Sequence, residues 1–141
     1  MTHILIISAR FYTELADELE AGAAETITKA GATYEIMPVP GAFEIPAVIG
    51  FAMNNEKYNG FVALGCVIRG ETTHYDYVCG ESARGLMDLS LKGAALGYGV
   101  LTVENEEQAW ARADRKEGNK GRDAAEAALR MVELKRKLAG A

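Results

Sequence analysis

The residues best equipped for chemistry fall in short polar stretches, and the richest is Arg69-Gly70-Glu71-Thr72-Thr73-His74. Together with the residues before it, Gly65 to Thr72 reads GCVIRGET, close to the phosphate loop GxxxxGK[ST] but with Glu71 where the lysine belongs. A carboxylate there repels nucleotide phosphates, which argues against an ATP or GTP site, and without GxGxxG the usual dinucleotide site is also removed. What remains is a run of backbone amides after Gly70, with the hydroxyls of Thr72 and Thr73, opening a helix that can hold one phosphate. Thr73 with Asp76 also fits a capping signature, which accounts for one threonine without any ligand. His74 comes next, in the first helical turn. Imidazole is the side chain suited to exchanging protons near neutral pH, and a solvated surface histidine is the alternative.

Two further groups complete the chemical inventory. Phe11 and Phe43 lie in turns, outside any helical or strand period, so they serve either as plugs for the edge of the core or as a platform for a flat ring. Arg112, Arg115, Lys116 and Lys120 supply positive charge near the C-terminus, and Arg112 is the best phosphate clamp because guanidinium binds phosphate through a two-pronged fork. Nucleophilic chemistry has little support: no G-x-S-x-G turn, no partnered cysteine, no carboxylate pair spaced for glycoside hydrolysis. Cys66 and Cys79 read as buried free thiols, and two histidines without CxxC or HxxxH give no metal site. An enzyme built from these residues orients reactants and moves protons.

Those residues need elements to carry them. His3 to Ser8 is a β-branched run too short for a helix, followed by Leu15, Leu19, Ala23 and Ile27 at helical spacing. Thr33 to Val39 is a second strand. It is closed by Pro40 and Gly41, and Pro46 suits the first turn of a short helix through Met53. Phe61 to Ile68 is apolar throughout, as a strand covered on both faces must be, and Val78, Ser82, Leu86 and Leu89 mark the next helix. Val100 to Val103, with Tyr98 before it, forms a fourth strand. A helix over Glu106 to Ala113 follows, then a polar loop at Lys116 to Gly121, then a helix from Asp123 to Leu138 burying Ala127, Met131, Leu134 and Leu138. Alternating strands and helices predict a three-layer α/β/α sandwich around a four-stranded parallel sheet. Ligands of such sheets bind beyond the carboxyl ends of the strands, where these aromatic, acidic, hydroxyl and imidazole groups all fall.

The chain has 141 residues, 49% apolar and 25% charged, enough to bury a core as one domain over residues 1–141 and too apolar for disorder. A net charge of −5 argues against general affinity for nucleic acid or anionic membranes, although nine basic and five acidic residues follow Ala109 and leave a local anion site open. No apolar run approaches the ~20 residues that span a bilayer, and the opening MTHILIISAR is too short for a secretion signal. The expected location is the cytoplasm.

Four segments carry a resemblance: PGAFEIP (Pro40 to Pro46), LGCVIRGETTHYDYVC (Leu64 to Cys79), TVENEEQAWARA (Thr102 to Ala113) and GNKG (Gly118 to Gly121). Over Ile4 to about Leu138 the chain resembles the lumazine synthase family of riboflavin biosynthesis. The resemblance implies a flavodoxin-like fold and a transferase that condenses 5-amino-6-ribitylaminouracil with 3,4-dihydroxy-2-butanone 4-phosphate. The product is 6,7-dimethyl-8-ribityllumazine, with phosphate and water released and no cofactor. It further implies that Phe11 stacks on the pyrimidine, with Ala42, Val67 and Ile68 offering backbone contacts. Phe43 and Glu44 meet the ribityl chain, the Glu71 and Thr72 amides with Arg112 hold the phosphate, His74 shuttles protons, and Lys120 lies near the pyrimidine. Sites in the family form between subunits of a pentamer, the Arg112 and Tyr98 region coming from the neighbour. Tyr12 and Tyr98 depart from residues common among relatives. The alternatives are a flavin- or lumazine-binding protein without turnover and an archaeal-type riboflavin synthase.

Overall fold

The computed structural model describes residues 1–140. Strands β1 (His3–Ala9), β2 (Thr33–Val39), β3 (Gly60–Ile68) and β4 (Leu96–Val103) form one parallel sheet in the order β2-β1-β3-β4. Helix α1 (Thr13–Lys29) joins β1 to β2; a 3₁₀ turn (Ala42–Glu44) and α2 (Ile45–Ala52) lead to β3; α3 (His74–Leu91) leads to β4; α4 (Glu106–Ala113) and α5 (Lys120–Leu138) follow. The first crossover runs one way across the sheet and the next two run the other way. Crossovers of a single hand must then place α1 opposite α2 and α3.

The buried side chains divide in that way. Ile4, Ile6, Val62, Leu64, Leu101 and Val103 face α1, α4 and α5, while Leu5, Ile7, Phe61, Ala63 and Val100 face α2 and α3. The central strands β1 and β3 thus alternate between two cores, which is why their sequences are apolar almost without a break, whereas edge strand β2 buries no side chain fully. The α/β/α architecture expected from the sequence is present. Among the described residues no helix is long and apolar enough to cross a membrane.

Two local expectations are corrected. Helix α5 buries Gly121, Ala124, Ala125, Ala128 and Val132, whereas Met131 and Leu138 are exposed; the stripe Ala127, Met131, Leu134, Leu138 faces the wrong way. The reason is close approach. A Cβ at Gly97 of β4 would fall 1.8 Å from the Ala124 carbonyl oxygen, and one at Gly99 would fall 2.9 Å from the Ala124 Cβ. Only small side chains fit on that face, so bulk turns outward.

The segment Lys116 to Gly121 is also less of a loop than its polarity implies. Helix α5 starts at Lys120, and Gly121 is buried where a Cβ would meet the Leu19 carbonyl oxygen of α1 at 2.2 Å. The Gly118 N–H donates to the Ala111 oxygen at 2.9 Å. Asn119, at φ 45°, donates from its own N–H to the Asp114 oxygen at 3.0 Å and accepts the Arg122 N–H on its side chain at 3.4 Å. Asparagine tolerates this left-handed conformation better than most residues. The segment is a built joint between α4, α5 and α1.

Candidate active site

A parallel sheet of order β2-β1-β3-β4 reverses its direction of winding between β1 and β3, and an open α/β sheet offers its crevice at that point, beyond the carboxyl ends. A cavity of about 540 Å³ lies there. Phe11 and Tyr12 line it from the turn after β1, Pro40 to Glu44 from the turn after β2, Cys66, Val67 and Ile68 from the end of β3, and His74 and Val78 from α3.

Each part is held by local structure. After β1 the Arg10 N–H donates to the Val39 oxygen at 3.1 Å, and its guanidinium grips Asp17 at 2.6 Å and also Glu20. The fully buried Ser8 donates its hydroxyl to the same Glu20 carboxylate at 2.5 Å. The Tyr12 carbonyl accepts the Ala16 N–H at 2.9 Å and so begins α1. Between these fastenings Phe11 projects outward, 73% exposed. In the second turn Ala42 is buried and offers only backbone, while Phe43 and Glu44 are exposed.

The β3 segment supplies a different resource. Its pairing with β1 ends at Ser8 opposite Leu64, yet β3 continues to Ile68 along β4. Over these last four residues one side of the strand has no β1 partner, so its backbone donors and acceptors are directed toward the cavity. Unpaired buried main-chain groups are costly, and a ligand with an alternating donor-acceptor edge satisfies them. A heterocycle has such an edge.

The turn from β3 to α3 is pinned by Arg69. Its N–H extends the ladder to the Val103 oxygen at 3.0 Å, its Nε donates to Glu104 at 2.6 Å, and its guanidinium lies 4.2 Å from the Tyr75 ring centroid. The capping expectation for Thr73 is corrected. Thr73 already has helical angles (φ −73°, ψ −1°) and its side chain caps nothing; Thr72 Oγ1 accepts the His74 N–H instead, at 3.3 Å. His74, the first residue of α3, is exposed at the cavity mouth, with Val78 one turn along on the same face.

Seven of the residues expected at a site line this one cavity: Phe11, Ala42, Phe43, Glu44, Val67, Ile68 and His74. Glu71 and Thr72 are exposed in the turn just before His74 and do not line it. Tyr98, Arg112 and Lys120 also lie outside the lining. Tyr98 is half exposed on β4, Lys120 pairs with Asp123 at 3.3 Å in the first turn of α5, and Arg112 is exposed on α4, donating to the Gln108 oxygen at 3.0 Å. Arg10, Arg69, Arg84, Arg115, Arg122 and Arg130 each meet a carboxylate, whereas Arg112 and Arg136 meet none among the described residues, Arg136 donating instead to the Thr2 hydroxyl at 2.9 Å. The Arg112 fork is left for another anion.

Both cysteines are free thiols; Cys66 is buried and Cys79 half-buried. Burial pushes the Cys66 thiol up to about 11, so at neutral pH it is protonated and a poor nucleophile despite its place in the cavity wall. No cluster of His, Cys, Asp or Glu among the described residues is placed to hold a metal ion.

Comparison with known proteins decides the family. The 6,7-dimethyl-8-ribityllumazine synthase family model matches residues 1–136. A protein of Rhizobium meliloti named 6,7-dimethyl-8-ribityllumazine synthase 1 is 58% identical, over 96% of this chain and 93% of its own. The chain belongs to the lumazine synthase family. Relatives of the same name, without the number, from Agrobacterium fabrum and Zymomonas mobilis are each 54% identical, over 98% of this chain and 97% and 99% of theirs. In this lumazine synthase family member, five cavity residues are not among those expected at a site: Tyr12, Pro40 and Gly41, which continue the Phe11 and Ala42 turns, and Cys66 and Val78. Cys66 was read only as a buried thiol, and Val78 only as a helix core position. The signal for both was spacing, Cys66 two residues before Ile68 on the strand and Val78 four after His74 on the helix.

Proposed function

We propose that the protein condenses 5-amino-6-ribitylaminouracil with 3,4-dihydroxy-2-butanone 4-phosphate to 6,7-dimethyl-8-ribityllumazine, the reaction of the family to which the chain belongs. The observation that carries the reading is the cavity at the β1/β3 reversal, which joins an aromatic platform, open strand backbone and an imidazole without any activated nucleophile. The reaction needs none, because the amine of one substrate attacks the ketone of the other. Phe11 stacks on the pyrimidine and the β3 backbone pairs with its edge. Phe43 and Glu44 meet the ribityl chain. The Glu71 and Thr72 amides hold the phosphate until it leaves, and His74 accepts and returns the protons exchanged as phosphate and water depart. Orientation of the two reactants is the main source of rate.

The phosphate end requires a second chain in this reading. Arg112 and Tyr98 come from a neighbouring copy, in a pentamer whose sites lie between subunits. The support is that both residues lie outside the cavity lining, that Arg112 meets no carboxylate among the described residues, and that Phe51, Met87 and Leu91 leave large apolar side chains uncovered on α2 and α3. Mixing the two substrates with the protein tests the reaction: formation of a fluorescent lumazine with release of phosphate is expected, and binding without turnover refutes it. Refolding His74→Ala and Arg112→Ala subunits together tests the shared site. Activity above that of either variant alone is expected, and no recovery places both groups in one chain.

A further inference from the structure

The strongest feature not used by the proposed reaction is the ring of Tyr12. Phe11 is mostly exposed, and an exposed phenylalanine ordinarily samples several rotamers on the picosecond to nanosecond scale. A ring that wanders makes a poor stacking surface, since each binding event must first order it. Here both neighbours of Phe11 are fastened. Arg10 is tied through its N–H to Val39 and through its guanidinium to Asp17 and Glu20, and Tyr12 is tied through its carbonyl to Ala16. The Phe11 backbone is therefore set, and the freedom left is that of its side chain. The Tyr12 ring takes up that freedom. It packs on the core beneath α1 and meets the Phe11 ring at 4.9 Å between centroids, with planes at 77°. That edge-to-face arrangement is one of the favoured geometries for an aromatic pair.

We propose that Tyr12 is a positioning residue, holding the Phe11 ring in the orientation in which it stacks on a flat heterocycle. The inference rests on the Phe11 platform of the proposed function, and it assigns the work to the ring and none to the phenol. Among the described residues the Tyr12 hydroxyl has no hydrogen-bond partner. Burial, with Cys66 and Glu106 nearby, raises its pKa, so the group stays protonated at neutral pH.

The test uses the full-length protein with its four phenylalanines carbon-13 labelled, with Tyr12→Leu, Tyr12→Met and Tyr12→Phe compared with the unaltered chain. Ring order of Phe11 is read by NMR relaxation, and KM is measured separately for the aminouracil and the phosphorylated substrate. In Tyr12→Leu and Tyr12→Met the Phe11 ring is expected to lose order and KM for the aminouracil to rise by about 2- to 12-fold, the worth of an aromatic pair. KM for the phosphorylated substrate should hold, and Tyr12→Phe should restore both readouts. The proposal is overturned if Phe11 keeps its order in the Leu and Met variants, or if Tyr12→Phe is as impaired as they are, which would assign the role to the hydroxyl. Two aliphatic variants guard against one failing to fold. Absence of turnover in the unaltered protein would count against the proposed reaction, while the relaxation data would still decide the role of Tyr12.

Discussion

Arg112→Ala gives the sharpest reading of the phosphate end. In the folded chain Arg112 donates to the Gln108 carbonyl on its own helix and meets no carboxylate among the described residues, so its removal breaks no ion pair. It does lie in the last turn of α4, where a cation favours the helix dipole by about 0.3–1 kcal/mol at an exposed site. Alanine returns part of that through its higher helix propensity. The expected change in stability is therefore under about 1 kcal/mol, a shift in Tm of no more than about 4 °C. On the substrate side, a charged hydrogen-bonded contact is worth about 1.5–3 kcal/mol, or roughly 10- to 150-fold in binding. KM for 3,4-dihydroxy-2-butanone 4-phosphate should rise by that factor while KM for the aminouracil changes less than about 3-fold, as read by lumazine fluorescence with each substrate varied in turn. Arg112→Lys should fall between, since lysine keeps the charge and loses the fork. Equal increases for both substrates, or a phosphate effect under about 3-fold with the fold intact, would refute the clamp.

Replacing His74 by alanine should slow turnover by about 100-fold or more with little change in either KM, if proton transfer limits the rate; a loss under about 5-fold would show that the substrates manage their own protons. Gly97→Ala should destabilise the protein by about 1–3 kcal/mol or more, because α5 must retreat from a Cβ placed 1.8 Å from the Ala124 oxygen. That corresponds to a fall in Tm of about 2–12 °C by calorimetry, and an unchanged Tm would refute the close contact. At the far end of the sheet, the His3 imidazole and then the Lys57 ammonium lower the Glu35 carboxyl from 4.5 to about 2. A depressed carboxyl stabilises the fold above its unfolded value and ceases to do so as pH falls through its folded one. Glu35→Gln should thus melt below the unaltered chain at pH 7, with the gap closing between pH 4.5 and pH 2. A gap constant across that window would show that the carboxylate does not stabilise the fold.

Much of this molecule could be read before its coordinates, and the successes share a cause. Ile4 to Ile7 and Phe61 to Leu64 are continuous apolar runs, and a parallel strand buried on both faces leaves such a trace. Phe11, Phe43 and His74 stood out because apolar rings and an imidazole in turns have no packing period to explain them, and all three line one cavity. The failures also have a shared cause. In α5 the buried face is marked by small size rather than hydrophobicity, because Gly97 and Gly99 draw the helix close, so a reading by bulk selected Met131 and Leu138. Thr73 was assigned a cap that its helical backbone does not need, since one-dimensional spacing does not show where the first helical angle falls. Tyr98 enters the site by resemblance alone, while Arg112 and Lys120 also stand out by their charge, and within one chain the fold leaves all three outside the cavity.

The last helix carries a consequence for how the chain is made. Helix α5 packs Ala124, Ala125, Ala128 and Val132 into the same cluster as Ile4 and Ile6 from the first strand, so the two ends of the chain meet across nearly its whole length. A ribosome adding about 5–20 residues each second needs roughly 1–4 s to make the 19 residues of α5 after all four strands exist. During that interval the part of the sheet that α5 covers, over β3 and β4 beside α1, is bare. The nascent protein then presents an unfinished apolar surface, and slowing synthesis over the codons of α5 should lower soluble yield without altering a single residue.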